Sequence, residues 1–389
     1  MSLGYDALRL KSPFMNESHE AWRDQLRRFV DAEIMPNVEA WEEAGDVPLE
    51  LFKKAADIGI LGCGYPEELG GMSEGLDHFH SIIASEELSR GAAGVAMALG
   101  VQNIALPLVV GSGPEEMKKD VVPQVLSGEK FISLCITEPS GGSDVANLKT
   151  SAKDDGDCFV VNGSKTFITG GLRANWYVTA VRTGGEGMGG ISLLLIPADL
   201  EGVEATSIGM KQGWHSSQTA TIYFDNVRVP KANIIGKLNQ GFLAIVNNFN
   251  NERLALTAVA LSTSRACIEE AAEWATNRET FGKPLGKHQV IRHKFADMVR
   301  QLNASYAYMD LLVSQECEGK ANPTDVALAK VQATLTAENI CRECLQILGG
   351  AGYIRGSVTE RNYREVRVLA IGGGSEEIML DLAGKGLGF

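Results

Sequence analysis

The sequence predicts an α+β protein with an N-terminal helical domain, a middle β-barrel or sandwich domain and a C-terminal four-helix bundle. The evidence is two changes in apolar period. Up to about Leu126 apolar residues recur at three and four positions; between about Lys130 and Gly236 they form short strand-like runs; after Gly241 the helical period returns in longer stretches. The expected domains are 1–128, 129–236 and 237–389.

In the first segment AWRDQLRRFVDAEI and FHSIIASEELSR carry the helical spacing, punctuated by Pro36, Gly59 and Gly91. In the second, CFVVNGSKTFIT reads as two β-rich runs around Asn162-Gly163, a strong signal for a short hairpin. WYVTAVRT, ISLLLIPA and TATIYFDNVRV continue the strands. The third holds long helical patterns from NNERLAL onward, from Val290 to Cys317 and from Thr324 to Leu348, with the short connections of a bundle. A chain of 389 residues exceeds one ordinary core, and no internal repeat interrupts this order.

Composition narrows the function. Lys and Arg total 36 against 49 for Asp and Glu, and the net charge of −13 opposes a nucleic-acid partner. No apolar run is expected to reach the roughly 18 residues of a membrane span, and the N-terminus lacks a signal-peptide pattern. Seven scattered cysteines suit a reducing compartment, so a cytoplasmic protein is expected. Cys341 and Cys344 form a lone CxxC without a second pair or a histidine cluster and read as half-buried thiols, so no metal is expected. His78 and His80 are two apart on a helical pattern and face different ways.

Near the C-terminus the chain reads IGGGSEEIML, Ile371 to Leu380. Glycines let backbone N–H groups approach a ligand, and a helix start favours negative charge, so a phosphate or enolate site is conceivable. The plainer reading is a turn capped by Ser375, with Glu376 and Glu377 favourably placed in the first helical turn.

Motifs elsewhere decide how to read this stretch. LCITEPSGGSDVANL, Leu134 to Leu148, contains a TEPxxGSD core that resembles the first signature of the acyl-CoA dehydrogenase flavoproteins. RETFGKPLGKHQ, Arg278 to Gln289, is similar to that family's cofactor-gripping turn, and QILGGAGYIR, Gln346 to Arg355, to its second signature. Asn147 departs from the pattern, which usually has a smaller residue there. The resemblance covers essentially the whole chain. It implies FAD, an acyl-CoA substrate dehydrogenated between the α and β carbons, an electron-transfer flavoprotein as acceptor and a homotetramer.

The resemblance also implies residue roles. Leu134, Cys135, Ile136, Thr137, Gly142 and Ser143, with Phe167, Ile168 and Thr169, match the flavin-ring site, Ser143 also touching substrate. Arg278 and Gln289 match positions that reach the pyrophosphate of a neighbouring subunit's FAD, where a guanidinium can make two parallel bonds, and Thr280 and Phe281 between them match cofactor-binding positions. Gln346, Gly349 and Gly350 match the other side of that grip, and Leu348, Ser375 and Glu377 complete the cofactor set. Arg253 and Asn250 match the CoA channel, Asn250 standing where an acid often faces the pantetheine. Gly372 and Gly373 match the thioester site.

IGGGSEEIM aligns with a family stretch that commonly reads I-Y-E-G-T-x-x-I, where the glutamate is the base. Here Gly372 replaces the aromatic and Gly373 the acid. The Gly373 amide can still stabilise an enolate on the thioester oxygen. Glu252 in NNERLAL is the expected replacement, because isovaleryl-type and long-chain-type members carry their base on this helix and lack the other. Its plainer reading is a helix-start acid meeting the dipole. A base beside flavin and thioester should have a raised pKa. Glu252→Gln should abolish flavin bleaching by acyl-CoA, and Gly373→Glu in that background should restore some activity if there is room. Residues 87–101 and 255–261 are expected along the acyl pocket. A flavin oxidase or monooxygenase of the same fold, or an inactive acyl-CoA-binding homologue, is the alternative.

Overall fold

The structure, a computed structural model, describes residues 3–389. Seven α-helices come first: α1 (Glu17–Phe29), α2 (Val38–Ala44), α3 (Leu49–Asp57), α4 (His78–Gly91), α5 (Ala93–Gly100), α6 (Gln102–Ser112) and α7 (Glu115–Leu126). Strands follow: β1 (Ile132–Cys135), β2 (Ser151–Asp155), β3 (Cys158–Thr169), β4 (Trp176–Arg182), β5 (Ile191–Pro197), β6 (Val203–Ser207), β7 (Thr219–Pro230) and β8 (Ile234–Ile235). The last part is α8 (Gly241–Asn277), a small hairpin of β9 (Glu279–Thr280) and β10 (Lys283–Pro284), then α9 (Gln289–Cys317), α10 (Pro323–Leu348), α11 (Val358–Leu369) and α12 (Glu376–Gly386). The helical, β, helical order matches the expectation.

Two helix starts in the first part are tied to each other. Asn16 caps α1 by accepting from the backbone N–H of Ser18 and His19, and His19 Nδ1 accepts from the Asn16 N–H. Asp77 caps α4 the same way, with His80 Nδ1 accepting from the Asp77 N–H. His19 Nε2 then reaches Asp77 Oδ1 at 2.9 Å, so one capping box is bonded to the next.

The sheet runs β6-β7-β3-β2-β4-β5-β8, with β1 parallel to β4. β4 and β5 read as nearly unbroken apolar runs because both of their faces are covered. Tyr177, Val181, Leu194 and Ile196 face the sheet's own interior, while Val178, Ala180, Leu193 and Leu195 pack with residues of α6 and α7. The hairpin expected at Asn162-Gly163 is not there. β3 passes straight through these residues, and the turn lies earlier, at Gly156-Asp157 between β2 and β3. Asn162-Gly163 forms a bulge against β7 instead: the register shifts there, Gly163 has φ +146°, and Asn162 Oδ1 accepts from Asn226 N–H.

α10 lies centrally in the C-terminal bundle, packed by α8, α9, α11 and α12. The N-terminal segment straps across this bundle. The Tyr5 hydroxyl is 2.7 Å from Ser262 Oγ, Tyr5 N–H donates to Glu269, and the Arg265 guanidinium stacks 3.7 Å over the Tyr5 ring. Arg9 bridges Glu86 of α4 and Asp310 of α9, and Leu10 N–H donates to Asn303.

Ala93–Ser112 is apolar enough in composition to cross a membrane, against the expectation of no such run. Two-thirds of its most apolar window is buried inside the fold, which accounts for its composition. Its small residues allow close packing: a Cβ on Gly94 would lie 2.5 Å from Ser216 Oγ.

Candidate active site

α8 brings Glu252 against the glycine loop between α11 and α12. A Cβ built on Gly373 would lie 3.5 Å from Glu252 Oε1. Glu252 does not begin a helix, contrary to the plainer reading; it sits about three turns into α8, beyond the reach of the N-terminal dipole. Its Oε2 is shielded from solvent and has no hydrogen-bond partner among the described residues. Burial pushes the carboxyl up to about 7, against the opposing charges of Arg253 and Lys330.

The loop is held by cations. Lys330 of α10, fully buried, donates to the carbonyls of Gly372 and Gly374 at 2.9 and 2.7 Å. Arg253 Nε points at the Gly373 carbonyl at 3.4 Å. Gly373 and Gly374 adopt φ +65° and +101°, which glycine takes without strain. Among the described residues neither of their N–H groups has an acceptor. Ser375 Oγ caps α12, as expected, and Glu377 is exposed in its first turn. Lys330 escaped the sequence reading, because a lone lysine in ALAKVQA carries no motif.

A raised acid alone does not mark a base. Glu365 on α11 is also pushed to about 7, by burial first and Glu42 second. It lies beneath the loop of Gly213 and Trp214, taking the Trp214 N–H at 3.3 Å, while Glu252 faces the loop whose amides lack acceptors.

The residues matched to a flavin ring meet at the ends of β1 and β3, where Thr166 N–H donates to Thr137 O at 2.9 Å. Glu138 anchors the signature loop. Its carboxylate takes the N–H of Lys149 and Thr150 and the buried Lys165 ammonium, at 2.7, 2.8 and 2.9 Å. Phe167, in a left-handed conformation with φ 60°, is 66% exposed; Gly142 and Ser143 are exposed and Thr137 and Thr169 half-buried. Cys135, Ile136 and Ile168 bury their side chains, leaving only backbone for a ligand, whereas Leu134 is half-buried. An accessible aromatic beside hydroxyl and backbone donors fits a flavin ring. Phe249, one turn before Glu252, packs against the cluster containing Ile136, which brings this region towards the acid. Asn250 is half-buried on the same turn.

The other matched residues lie elsewhere. Arg278 is about 39 Å from Glu252 along α8. It leads into the β9-β10 hairpin, whose turn exposes Phe281, with Thr280 half-buried and Gln289 exposed beyond it. Gln346, Gly349 and Gly350 are exposed at the end of α10, and Leu348 is buried. These residues do not join Glu252 within one chain.

His19, Asp77 and His80 place possible ligand atoms within 4.8 Å of one another. Their ring nitrogens serve the two capping boxes, so a cation there would have to displace helix caps. Cys341 and Cys344 are fully buried rather than half-buried, with Cys341 Sγ 3.6 Å from Cys267 Sγ, because α10 is the central helix.

Taking a proton from carbon beside a carbonyl needs a desolvated acid and free amide donors, and this site brings the two together. The chain belongs to the acyl-CoA dehydrogenase family, oxidoreductases that act on CH–CH bonds with flavin. The family's N-terminal, middle and C-terminal domains match residues 16–129, 133–227 and 239–388. An acyl-CoA dehydrogenase of Alternaria alternata is 39% identical over 95% of this chain and 91% of its own. A 3-(aryl)acrylate reductase of Clostridium sporogenes is 34% identical over 94% and 97%. The crystal structure of a probable acyl-CoA dehydrogenase from Mycobacterium abscessus superposes with a TM-score of 0.93 at 42% identity, covering 96% of this chain and all of that one.

Proposed function

We propose that this chain dehydrogenates an acyl-CoA thioester to the trans-2-enoyl-CoA, with Glu252 as the base. The observation that carries the reading is the nearness of the Glu252 carboxylate to Gly373: an acid supplied by α8 comes within 3.5 Å of the point from which a side chain at 373 would start. Glu252 takes the α-proton onto its carboxylate, and the Gly373 N–H donates to the thioester oxygen as negative charge grows there. FAD, when bound, supplies the two-electron acceptor for the β-hydrogen. Phe167, Thr169, Thr137 and Ser143 hold its ring, and Arg278, Gln289 and Gln346 reach the cofactor of a neighbouring subunit in a homotetramer. An electron-transfer flavoprotein is the onward acceptor. Seven cysteines without a disulfide support a cytoplasmic setting.

The test is anaerobic bleaching of the purified flavoprotein by butyryl-, isobutyryl-, isovaleryl-, octanoyl- and 3-phenylpropanoyl-CoA, with wild type and Glu252→Gln. Bleaching by one or more thioesters in the wild type, lost in the variant with flavin retained, supports the reading. An active variant places the base elsewhere. The reductase name of the Clostridium sporogenes relative favours, as a second reading, the same site run as an enoyl reduction. Faster turnover of an arylacrylate by the chemically reduced protein would select it.

A further inference from the structure

Three glycines in a row leave the loop at 372–374 without side chains to lock it, yet its peptide planes must be fixed if one amide is to serve as a donor. Backbone freedom at each residue is worth about 1–2 kcal/mol, so an untethered loop would sample many amide directions. Gly372 N–H is tied back to Val368 O and Arg253 reaches the Gly373 carbonyl at 3.4 Å, but the tether on the two flanking carbonyls is Lys330. Its ammonium bridges the carbonyls on either side of Gly373, at 2.9 Å to Gly372 and 2.7 Å to Gly374. A trans peptide is planar, so the Gly372 C=O and the Gly373 N–H point in opposite directions. Holding that carbonyl towards α10 therefore turns the Gly373 amide away from α10. A compact ammonium with several donors can bridge two carbonyls that a planar guanidinium would approach along one edge.

We propose that Lys330 is the positioning residue of this site: it aims the Gly373 N–H at the substrate's carbonyl oxygen and holds a positive charge near Glu252. The inference rests on Glu252 being the base. Lys330 touches neither carboxylate nor loop amide directly and acts through the two carbonyls. Its electrostatic neighbours are Glu252 and Arg253 on α8 and Glu376 on α12. Burial pulls the ammonium down to about 8, with Glu252 holding it up, and its charge in turn opposes the rise at Glu252. Lys330 and Glu252 are thus two ends of one electrostatic unit centred on Gly373.

The experiment compares wild type, Lys330→Met, Lys330→Gln and Glu252→Gln as purified flavoproteins, using the thioester from the panel that bleaches wild type fastest. Flavin content and melting temperature are measured first. Loss of α-deuterium from the labelled thioester to water is then followed separately from bleaching, across pH. Lys330→Met is expected to keep its flavin, to slow both α-exchange and bleaching by about 100-fold, as for loss of an oriented donor, and to move the acidic limb of the pH profile upward. Lys330→Gln, which donates without charge, is expected to recover part of the rate and keep the displaced limb. Lys330→Met with wild-type rates and limb overturns the proposal. So do two variants that lose rate only in proportion to lost flavin, with an unmoved limb, since that is a purely structural role. If Lys330→Met does not fold, Lys330→Gln decides by its limb alone. An active Glu252→Gln removes the base reading and this inference with it, whereas an inactive Glu252→Gln beside a wild-type-like Lys330→Met removes this inference only.

Discussion

Leu256 stands where a side chain on Gly373 would have to start: its Cδ1 lies 2.5 Å from the position of a Gly373 Cβ. Leu256 is one helical turn after Glu252 on α8, so the helix that supplies the acid also closes the place from which the family's commoner acid would project.

The expected rescue by Gly373→Glu in a Glu252→Gln background therefore has no room to occur. The Cβ clash adds to a φ of +65° that side chains adopt at a cost of about 1–2 kcal/mol. The double variant should stay as inactive as Glu252→Gln alone, and Gly373→Ala should lose about 1–3 kcal/mol of stability in urea unfolding. Activity returning at 373 would be expected only with Leu256→Ala also present.

Glu252→Gln should slow bleaching by at least about 100-fold, and it should also stabilise the protein at high pH. The sign follows from the raised carboxyl. Between its ordinary value of 4.5 and about 7 the folded chain keeps a proton that the unfolded chain releases, so stability falls with pH across that window. Above it the buried charge carries its full penalty. The variant should therefore exceed wild type by about 2 kcal/mol at pH 8 and match it near pH 4, as read from denaturant midpoints.

Glu138 and Lys165 give the opposite pH dependence. Burial works against the Glu138 carboxylate, but the Lys165 charge and the Lys149 and Thr150 amides outweigh it and hold the carboxyl at about 2. Its stabilisation is complete above 4.5 and is lost as pH falls towards about 2. Lys165→Met leaves a buried carboxylate unpaired and should cost about 3–5 kcal/mol at pH 7, with flavin released as the signature loop loosens.

Phe167 separates a binding role from a structural one. Its ring is 66% exposed and its φ of 60° is strained, so Phe167→Gly gives up little burial and relieves about 1 kcal/mol of backbone cost. The apo variant should melt no lower than wild-type apo protein, while its flavin should dialyse away faster. Unchanged flavin retention would remove Phe167 from the cofactor site.

The order of helices and strands was legible because apolar period changes with secondary structure, and TEPSGGSD with IGGGSEEI marked the two loops that carry the candidate chemistry. The hairpin at Asn162-Gly163 misled because the same dipeptide serves a turn or a bulge, and only the partner strand, through Asn226, decides which. Glu252 was legible as a residue but not as a mid-helix one, since nothing in GFLAIVNNFNNERL marks an earlier start. Lys330 was invisible: its meaning depends on carbonyls more than 40 residues away in the chain, and carbonyls have no letter in a sequence.

The strap formed by Tyr5, Arg9 and Leu10 has a consequence for how the chain matures. Its partners Ser262, Glu269, Asn303 and Asp310 lie beyond the β domain in the chain and are synthesised after it. Tyr5, Arg9 and Leu10 are thus made well before the residues they bridge on the bundle and complete their docking late. An affinity tag fused ahead of Tyr5 would burden a late docking event rather than a loose tail, and a C-terminal tag is the gentler choice for making this enzyme.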